Sequence, residues 1–135
     1  MALVSEPHRG EVWLTSFGAA RPGEPGKNRP AIVVSADQII AGLPGEPIVV
    51  VPLSSSIPAS DLRPEVKEVE GLDRPSLAVC GTVRGVARSR LLRRLGKVTP
   101  ATLGEVEYAL ALILGIEHRA PGVGVAPGGS GGSGN

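Results

Sequence analysis

GKNRPAIVVS, the stretch from Gly26 to Ser35, changes character at Pro30. The residues before the proline are polar and flexible, whereas those after it are apolar and β-branched, which predicts a buried strand over Pro30–Ser35. A residue before proline is held in an extended conformation, so Arg29 should stand at the rim of the sheet with its guanidinium directed outward. Such an arginine either joins a surface ion pair or binds an anion, and this stretch alone favours the ion pair.

A second buried strand, IVVVPL at Ile48–Leu53, runs directly into Ser54, Ser55 and Ser56. If the two strands are antiparallel neighbours, one begins where the other ends, and Arg29 and Ser54 meet at the same edge of the sheet. A guanidinium, hydroxyl groups and backbone N–H groups together bind phosphate. RNA carries its own nucleophile, the 2′-OH, so such a site needs only to orient this hydroxyl and to stabilise charge on the phosphorane.

The remaining pattern is one of short strands. Strands are predicted over Gly10–Phe17, with Trp13 in the core and Phe17 on the same face, and over residues 66–69, 77–83 and 95–98. A helical turn is expected near Gln38–Ile40, between two of the strands. Pro52 predicts an edge strand or a bulge near the end of its strand.

The last predicted element is a helix. Thr99 is a good N-cap, Pro100 suits the first helical position, and Gly115 is the expected stop. Apolar residues at three- and four-residue spacing form one stripe, Leu103, Val106, Leu110, Ile113 and Leu114. The elements together predict a mainly β fold with a C-terminal α-helix, arranged as a small, strongly bent sheet or barrel on which the helix packs.

Charge is unevenly distributed along this chain of 135 residues and net charge +1. Residues 84–97, the basic segment, hold six cations and no acid, whereas residues 61–73 hold five acids and two cations. The basic segment either steers a polyanion to one face or is a solvated face balanced by its acidic neighbour, and both interpretations stay open.

Several function classes lack their signals. The single cysteine, Cys80, rules out an internal disulfide and is expected to be a small buried hydrophobe. No phosphate-binding or dinucleotide-binding glycine loop and no C-x-x-C or H-E-x-x-H motif occurs, and His8 and His118 lie near the two ends. We therefore expect no metal and no cofactor. Met1–Pro7 lacks the apolar segment of a signal peptide and no run is long enough to span a membrane, so the expected location is cytoplasmic.

A set of motifs in fixed order resembles the MazF/PemK-type toxins of bacterial toxin–antitoxin systems. The motifs are RGEVWL at 9–14, a loop with Glu24, GKNRPAIVVS at 26–35, VVVPLSSS at 49–56, SRLLRRLGKVT at 89–99 and EVEYALALILGI at 105–116. The resemblance covers about Arg9 to Ile116. It implies a toxin domain at 9–118, after a lead-in at 1–8 and before a flexible tail at 119–135.

This resemblance implies an SH3-like, strongly twisted barrel that forms a homodimer. The implied activity is that of an mRNA interferase, a sequence-selective, metal-independent endoribonuclease that cleaves single-stranded RNA to leave a 2′,3′-cyclic phosphate and a 5′-OH. The implied partner is a small, acidic, MazE-like antitoxin that lays an extended or helical tail into the RNA groove at the dimer interface.

Site residues follow from the same resemblance. Arg29 and Ser54 match the catalytic positions, and Arg29 would stabilise the transition-state phosphate and protonate the leaving oxygen. The implied RNA contacts are Glu24, Lys27, Asn28, Ser55, Ser56, Thr82 and Arg84. Three positions depart from the family pattern: Ser54 stands where threonine is usual, Ser56 where asparagine or glutamine is usual, and Thr82 where glutamine is common. The departures at Ser56 and Thr82 affect base reading more than chemistry, whereas Ser54 keeps the hydroxyl but loses the methyl group that restricts χ1, which predicts looser placement.

Two alternatives remain open. The same fold serves toxins that poison DNA gyrase by protein contact without cutting RNA. The serine and threonine substitutions also fit a weakened homologue that still binds an antitoxin. Incubating the purified protein with a mixed RNA in EDTA separates these two alternatives from the ribonuclease.

Overall fold

The computed structural model describes residues 6–18, 27–67, 69, 72 and 74–117. Within them, none of the helices is long and apolar enough to cross a membrane. The described elements in chain order are β1 Glu11–Ser16, β2 Asn28–Val33, α1 Asp37–Gly42, β3 Ile48–Ser54, β4 Glu65–Val66, β5 Ser76–Ala78, β6 Arg84–Val86, β7 Leu91–Lys97 and α2 Pro100–Leu114.

One antiparallel sheet organises these elements. Its order is β4-β5-β3-β2-β1-β7, and β6 lies beside β5 along the same edge of β3. The two strands with the strongest apolar runs, β2 and β3, are central neighbours, with Ile32 opposite Val51 and Val33 opposite Val50. The fold class predicted from the sequence, mainly β with a C-terminal helix, is confirmed.

Both faces of the sheet are buried, which explains why the central strands are almost continuously apolar. Alternate residues face opposite sides. Val12, Ile32 and Val51 pack on the side covered by α2. Trp13 and Val33 belong to a second cluster on the other side. The indole of Trp13 is 3% exposed, so the prediction that it belongs to the core is confirmed.

The second cluster is closed by curvature of the sheet itself. Phe17 packs on this cluster, which also contains Val86 of β6. The guanidinium carbon of Arg84, also on β6, lies 5.3 Å from the Phe17 ring centroid. Since β3 and β2 lie between β6 and β1 in the sheet order, and Phe17 directly follows β1, this contact crosses the concave face. The sheet is therefore a half-barrel, not a flat layer.

Helix α2 begins and ends as the sequence predicts. The Thr99 side chain accepts a hydrogen bond from the backbone N–H of Thr102, and Gly115 ends the helix with a left-handed φ of 70°. The apolar stripe is only partly buried, because Val106 is fully enclosed whereas Ile113 and Leu114 are exposed. The last turn of α2 thus extends beyond the sheet that covers its beginning.

Element boundaries differ from the predictions in several places, among them β4, which is Glu65–Val66 where a strand over 66–69 was predicted. β2 begins at Asn28, two residues before the predicted Pro30. The predicted strand at 77–83 is broken by a 3₁₀ turn, Cys80–Thr82, after which β6 resumes. β7 is longer than the predicted 95–98, and α1 is a complete short helix where a single turn was expected.

The 3₁₀ turn also explains Pro52. The prediction of an edge strand is wrong, because β3 is central. Val50 of β3 pairs with Arg84, and Leu53 pairs with Ala78. The segment between Ala78 and Arg84 therefore has three more residues than the segment between Val50 and Leu53, and the ladder is interrupted there. Pro52 lies within this interruption, where its carbonyl accepts from Val79 N–H at 2.9 Å. The missing N–H of the proline therefore faces a break in the ladder, as the predicted bulge requires.

Candidate active site

Arg29 and Ser54 lie opposite each other at one end of the β2–β3 ladder. Ala31 pairs with Pro52, so the antiparallel register brings Arg29 opposite Ser54 two residues further on. Pro52 directs its carbonyl towards Val79, away from β2, which makes these two pairs non-hydrogen-bonded between β2 and β3. The last pair of the ladder is Ala31–Pro52, and just beyond it Arg29 and Ser54 line one surface cleft. The predicted meeting of the two residues is what the structure shows.

A surface cleft of about 250 Å³ opens at this place, and we call it the Arg29 cleft. Three pieces of backbone supply its walls: the start of β2, the end of β3, and the segment that leads into β5. Its lining residues are Arg29, Pro30, Leu53, Ser54, Ser55, Ser56, Leu72, Arg74 and Ser76.

The hydroxyl of Ser54 is held by the turn that follows it. The Ser56 backbone N–H donates to Ser54 Oγ at 3.3 Å, and the two hydroxyl oxygens are 3.2 Å apart. Ser54 Oγ therefore accepts from the Ser56 N–H, and either of the two hydroxyl groups can donate to the other. These contacts restrain a serine that lacks the χ1-restricting methyl group of threonine.

The charge of the cleft is positive. Arg29 is exposed, and its guanidinium has no hydrogen-bond or ion-pair partner within the described residues. Arg74 is a second guanidinium in the lining, and no carboxylate is among the described residues that form it. A guanidinium without an internal acceptor is available to bind an anion bidentately.

Only some of the other predicted RNA contacts lie at the cleft. Ser55 and Ser56 line it, and Lys27 and Asn28 directly precede Arg29. Thr82 and Arg84 do not line it: the Thr82 hydroxyl donates to the Val79 carbonyl at 2.9 Å, and Arg84 stacks on Phe17 across the concave face. Glu24 lies outside the described residues.

Most of the basic segment serves the fold. Arg88 donates to the carbonyls of Ile40, Leu43 and Glu46, which lie at and just after the end of α1. Arg90 donates to the Ser16 carbonyl and Arg94 to the carboxylate of Glu11. Internal acceptors therefore hold much of this segment, and a stripe of free cations for a polyanion is not what forms here.

Cys80 is buried and unsuited to nucleophilic chemistry. Burial raises the pKa of its thiol to about 11, so that the thiol stays protonated at neutral pH. Among the described residues, no three His, Cys, Asp or Glu side chains come together as metal ligands would.

Sequence reasoning missed Leu72, Arg74 and Ser76. A signal was present, because Arg74-Pro75 precedes β5 much as Arg29-Pro30 opens β2. Recognising it required the knowledge that β5 is also antiparallel to β3 and begins beside the same strand end. That knowledge comes only from the fold.

Comparison with known proteins finds clear relatives. The profile of a family described as PemK-like, MazF-like toxin of type II toxin–antitoxin system matches residues 8–114. A Mycobacterium tuberculosis protein named endoribonuclease MazF9 is 36% identical over 113 residues, which covers 78% of this chain and 94% of the relative.

Solved structures share the fold. The MazE–MazF structure (Form-II) from Deinococcus radiodurans superposes with a TM-score of 0.71 at 23% identity, and covers 84% of this chain and 100% of that chain. An endoribonuclease in complex with its cognate antitoxin, from a mycobacterial species, gives a TM-score of 0.67 at 22% identity, with 84% and 99% covered.

Proposed function

Because the chain belongs to the PemK-like, MazF-like toxins of type II toxin–antitoxin systems, we propose that it is an endoribonuclease. Its substrate is single-stranded RNA, cut at selected sequences without a metal ion. The 2′-OH of the nucleotide on the 5′ side attacks the adjacent phosphorus, and the products end in a 2′,3′-cyclic phosphate and a 5′-OH.

The observation that carries this proposal is the facing pair of Arg29 and Ser54 in a cleft with no acid in its described lining. Arg29 binds the non-bridging oxygens of the scissile phosphate and stabilises the charge that gathers on them in the phosphorane. Ser54 donates its hydroxyl hydrogen to the same group. The rigid β2–β3 ladder fixes both residues at the position of the reacting phosphate.

The reaction balances without any added reagent. The O2′–P bond forms and the P–O5′ bond breaks. The proton of the 2′-OH leaves to solvent water, Arg29 gives one proton to O5′, and Arg29 then regains a proton from solvent, so the proton count closes. No water and no metal-bound nucleophile enters the products. The protein therefore supplies positioning, charge stabilisation and the proton from Arg29.

The remaining predicted residues are proposed as contacts along the RNA strand. Lys27 and Asn28 lie next to Arg29 on the same exposed strand start, and Ser55 and Ser56 lie beside Ser54. Glu24, Thr82 and Arg84 are proposed from the family resemblance alone. Phosphate contacts among these residues set affinity, while contacts to base edges set the sequence preference.

The decisive experiment incubates the purified chain with a mixed RNA in EDTA and maps the ends of the products. We expect cyclic phosphate and 5′-OH ends at a recurring sequence. A second substrate with deoxyribose at the scissile nucleotide should stay intact, because it lacks the nucleophile. Cleavage of that substrate, or cleavage abolished by EDTA, would refute the proposed mechanism.

Its partners are proposed as a small antitoxin and a second copy of the chain, with the cytoplasm as the place of action. Two structural relatives contain an antitoxin beside the toxin, which supports the first. The dimer is supported by apolar side chains left exposed at the end of α2, with Leu112 at 50%, Leu114 at 60% and Ile116 at 60%. Light scattering on the chain and on a Leu114→Glu variant tests the dimer, which the variant should weaken.

A further inference from the structure

The two walls of the Arg29 cleft repeat one arrangement on either side of β3. β2 and β5 both run antiparallel to β3 and both begin beside its end at Ser54. An Arg-Pro pair stands at each beginning: Arg29-Pro30 opens β2, and Arg74-Pro75 precedes β5. A residue before proline is held extended in both places. Two arginines consequently flank the same strand end from opposite sides.

Arg74 is unengaged in the described structure. It is exposed, and its guanidinium has no hydrogen-bond partner within the residues described. Its backbone is used instead, since the Ser76 hydroxyl donates to the Arg74 carbonyl at 3.4 Å. The side chain lines the cleft together with Arg29 and Ser54. An arginine that takes no part in holding the fold is available for a ligand.

We propose that Arg74 is a second catalytic arginine, which binds the same scissile phosphate as Arg29. This inference rests on the proposed ribonuclease function. In it, the phosphate sits between the two guanidinium groups with Ser54 beneath it. Arg74 makes its strongest contact when the phosphorane forms, and not in the ground state.

The shared cleft supports a shared phosphate. Arg29, Ser54 and Arg74 all line one opening of about 250 Å³. A phosphate bound beside Ser54 therefore lies in the same opening as both guanidinium groups.

The charge of the reacting group supports a role in the transition state. A phosphodiester carries one negative charge, which a single guanidinium matches. Attack by the deprotonated 2′-oxygen brings a second negative charge onto the phosphorane. A second fixed cation is therefore better matched to the transition state than to the bound substrate, which is the condition for raising the rate of the chemical step.

The test compares the full chain with Arg74→Gln, Arg74→Lys and Arg93→Gln. Arg93 is a matched control, because it is an exposed arginine of β7 that does not line the cleft. Two quantities are measured on one short RNA that contains a mapped cut site. They are the single-turnover cleavage rate at saturating protein, and the affinity for the uncleavable copy with deoxyribose at the scissile nucleotide.

We expect Arg74→Gln to lower the cleavage rate about 100-fold, as the loss of one transition-state donor does. Its affinity for the deoxyribose copy should fall by less than about 5-fold, because the ground-state phosphate keeps Arg29. Arg74→Lys keeps the charge and should recover at least about a tenth of the rate. Arg93→Gln should match the parent chain in both measurements, and thermal unfolding should show that all variants are folded.

Three outcomes would overturn the inference. An Arg74→Gln rate equal to that of Arg93→Gln would leave Arg74 no role. A loss of affinity as large as the loss of rate would place Arg74 on a neighbouring phosphate instead. An inactive parent chain would refute the proposed function and the inference with it, whereas the first two outcomes leave the proposed function standing.

Discussion

The basic segment and the Arg29 cleft use arginine in opposite ways. In the basic segment, Arg88 is surrounded by three carbonyl acceptors and Arg94 by a carboxylate. In the cleft, Arg29 and Arg74 have no acceptor among the described residues. The segment with the highest density of positive charge in the sequence therefore has most of its guanidinium groups engaged by the fold, with Arg93 as an exception among the described residues.

The difference shows that charge density along a sequence is a poor guide to anion binding. Each acceptor supplied by the fold removes one guanidinium from those available to a ligand. A single arginine at a strand end, with no internal acceptor in reach, binds a phosphate more strongly than several arginines that already cap helices or pair with acids. Variants of the two regions should accordingly separate loss of activity from loss of stability.

Arg29→Ala should have the largest effect on activity. We expect cleavage to fall about 1000-fold, because the variant removes the charge-assisted contacts to the phosphorane. The Tm should stay within about 2 °C of the parent, because the Arg29 side chain has no partner among the described residues. A gel-based cleavage assay and thermal unfolding measure the two quantities. Retained cleavage in a folded Arg29→Ala protein would remove the basis of the comparison.

Ser54→Ala should come next, with a loss of about 100-fold in cleavage rate. Ser54→Thr restores the hydroxyl and adds a methyl group that restricts χ1, so its rate should equal or exceed that of the parent. Ser89→Ala, at an exposed serine that does not line the cleft, is the matched control. A Ser54→Ala rate like that of Ser89→Ala would argue against a role for the Ser54 hydroxyl.

Arg88→Ala should show the opposite pattern. The variant leaves carbonyls at and beyond the end of α1 without their cation, at distances now between 2.9 and 3.2 Å. We expect a loss of about 2 kcal/mol in the free energy of unfolding, or roughly 8 °C in Tm. Cleavage per folded molecule should remain at the parent level. Strong loss of cleavage at full stability would show that the basic segment binds RNA after all.

Replacement of Glu11 should have the smallest of these effects, a change in the free energy of unfolding that is seen only at acidic pH. Burial alone would raise the pKa of its carboxyl, but hydrogen bonds from the Trp13 indole, the His8 N–H and Arg94 lower the pKa below 4.5 overall. The unfolded chain then binds this proton more readily than the folded chain does. Glu11 therefore stabilises the fold above pH 4.5, and this contribution is lost as the pH falls through the lowered pKa.

Glu11→Gln tests this pH dependence. Denaturant unfolding between pH 3 and pH 6 should show a flatter dependence of the unfolding free energy on pH in the variant than in the parent. Glu65→Gln, an exposed acid, removes the same charge without the buried contacts and should leave the slope nearly unchanged. Equal slopes for Glu11→Gln and the parent would contradict the prediction.

Local signals were sufficient for much of the fold. Apolar runs located β2 and β3, and Thr99, Pro100 and Gly115 gave both ends of α2. Antiparallel pairing then led to the meeting of Arg29 and Ser54, because register along two neighbouring strands is a matter of counting residues. These features depend on residues close in sequence or on one pairing.

Features that depend on distant segments could not be predicted. The acceptors of Arg88 lie more than 40 residues away in α1 and the loop after it, so nothing local marks this arginine as structural. The break at Cys80–Thr82 exists because β5 and β6 both pair with one edge of β3, and the segment between them has three more residues than the part of β3 that it faces. Arg74 reaches the cleft through the same pairing, so the Arg-Pro pair in the sequence points to the site only once the position of β5 is known.

Along one edge, β3 pairs first with β6 and then with β5. This change of neighbour leaves parts of the sheet with unequal stability against local unfolding. β1, β2 and β3 form long ladders, whereas β5 joins β3 through two residue pairs and β4 through two more. Such a short hairpin opens by sub-global unfolding at a lower free energy than the central sheet does. Amide hydrogens of Leu77 should therefore exchange with solvent long before those of Val33. The wall of the cleft that leads into β5 can therefore move to admit an RNA strand, while Arg29 keeps its position on β2.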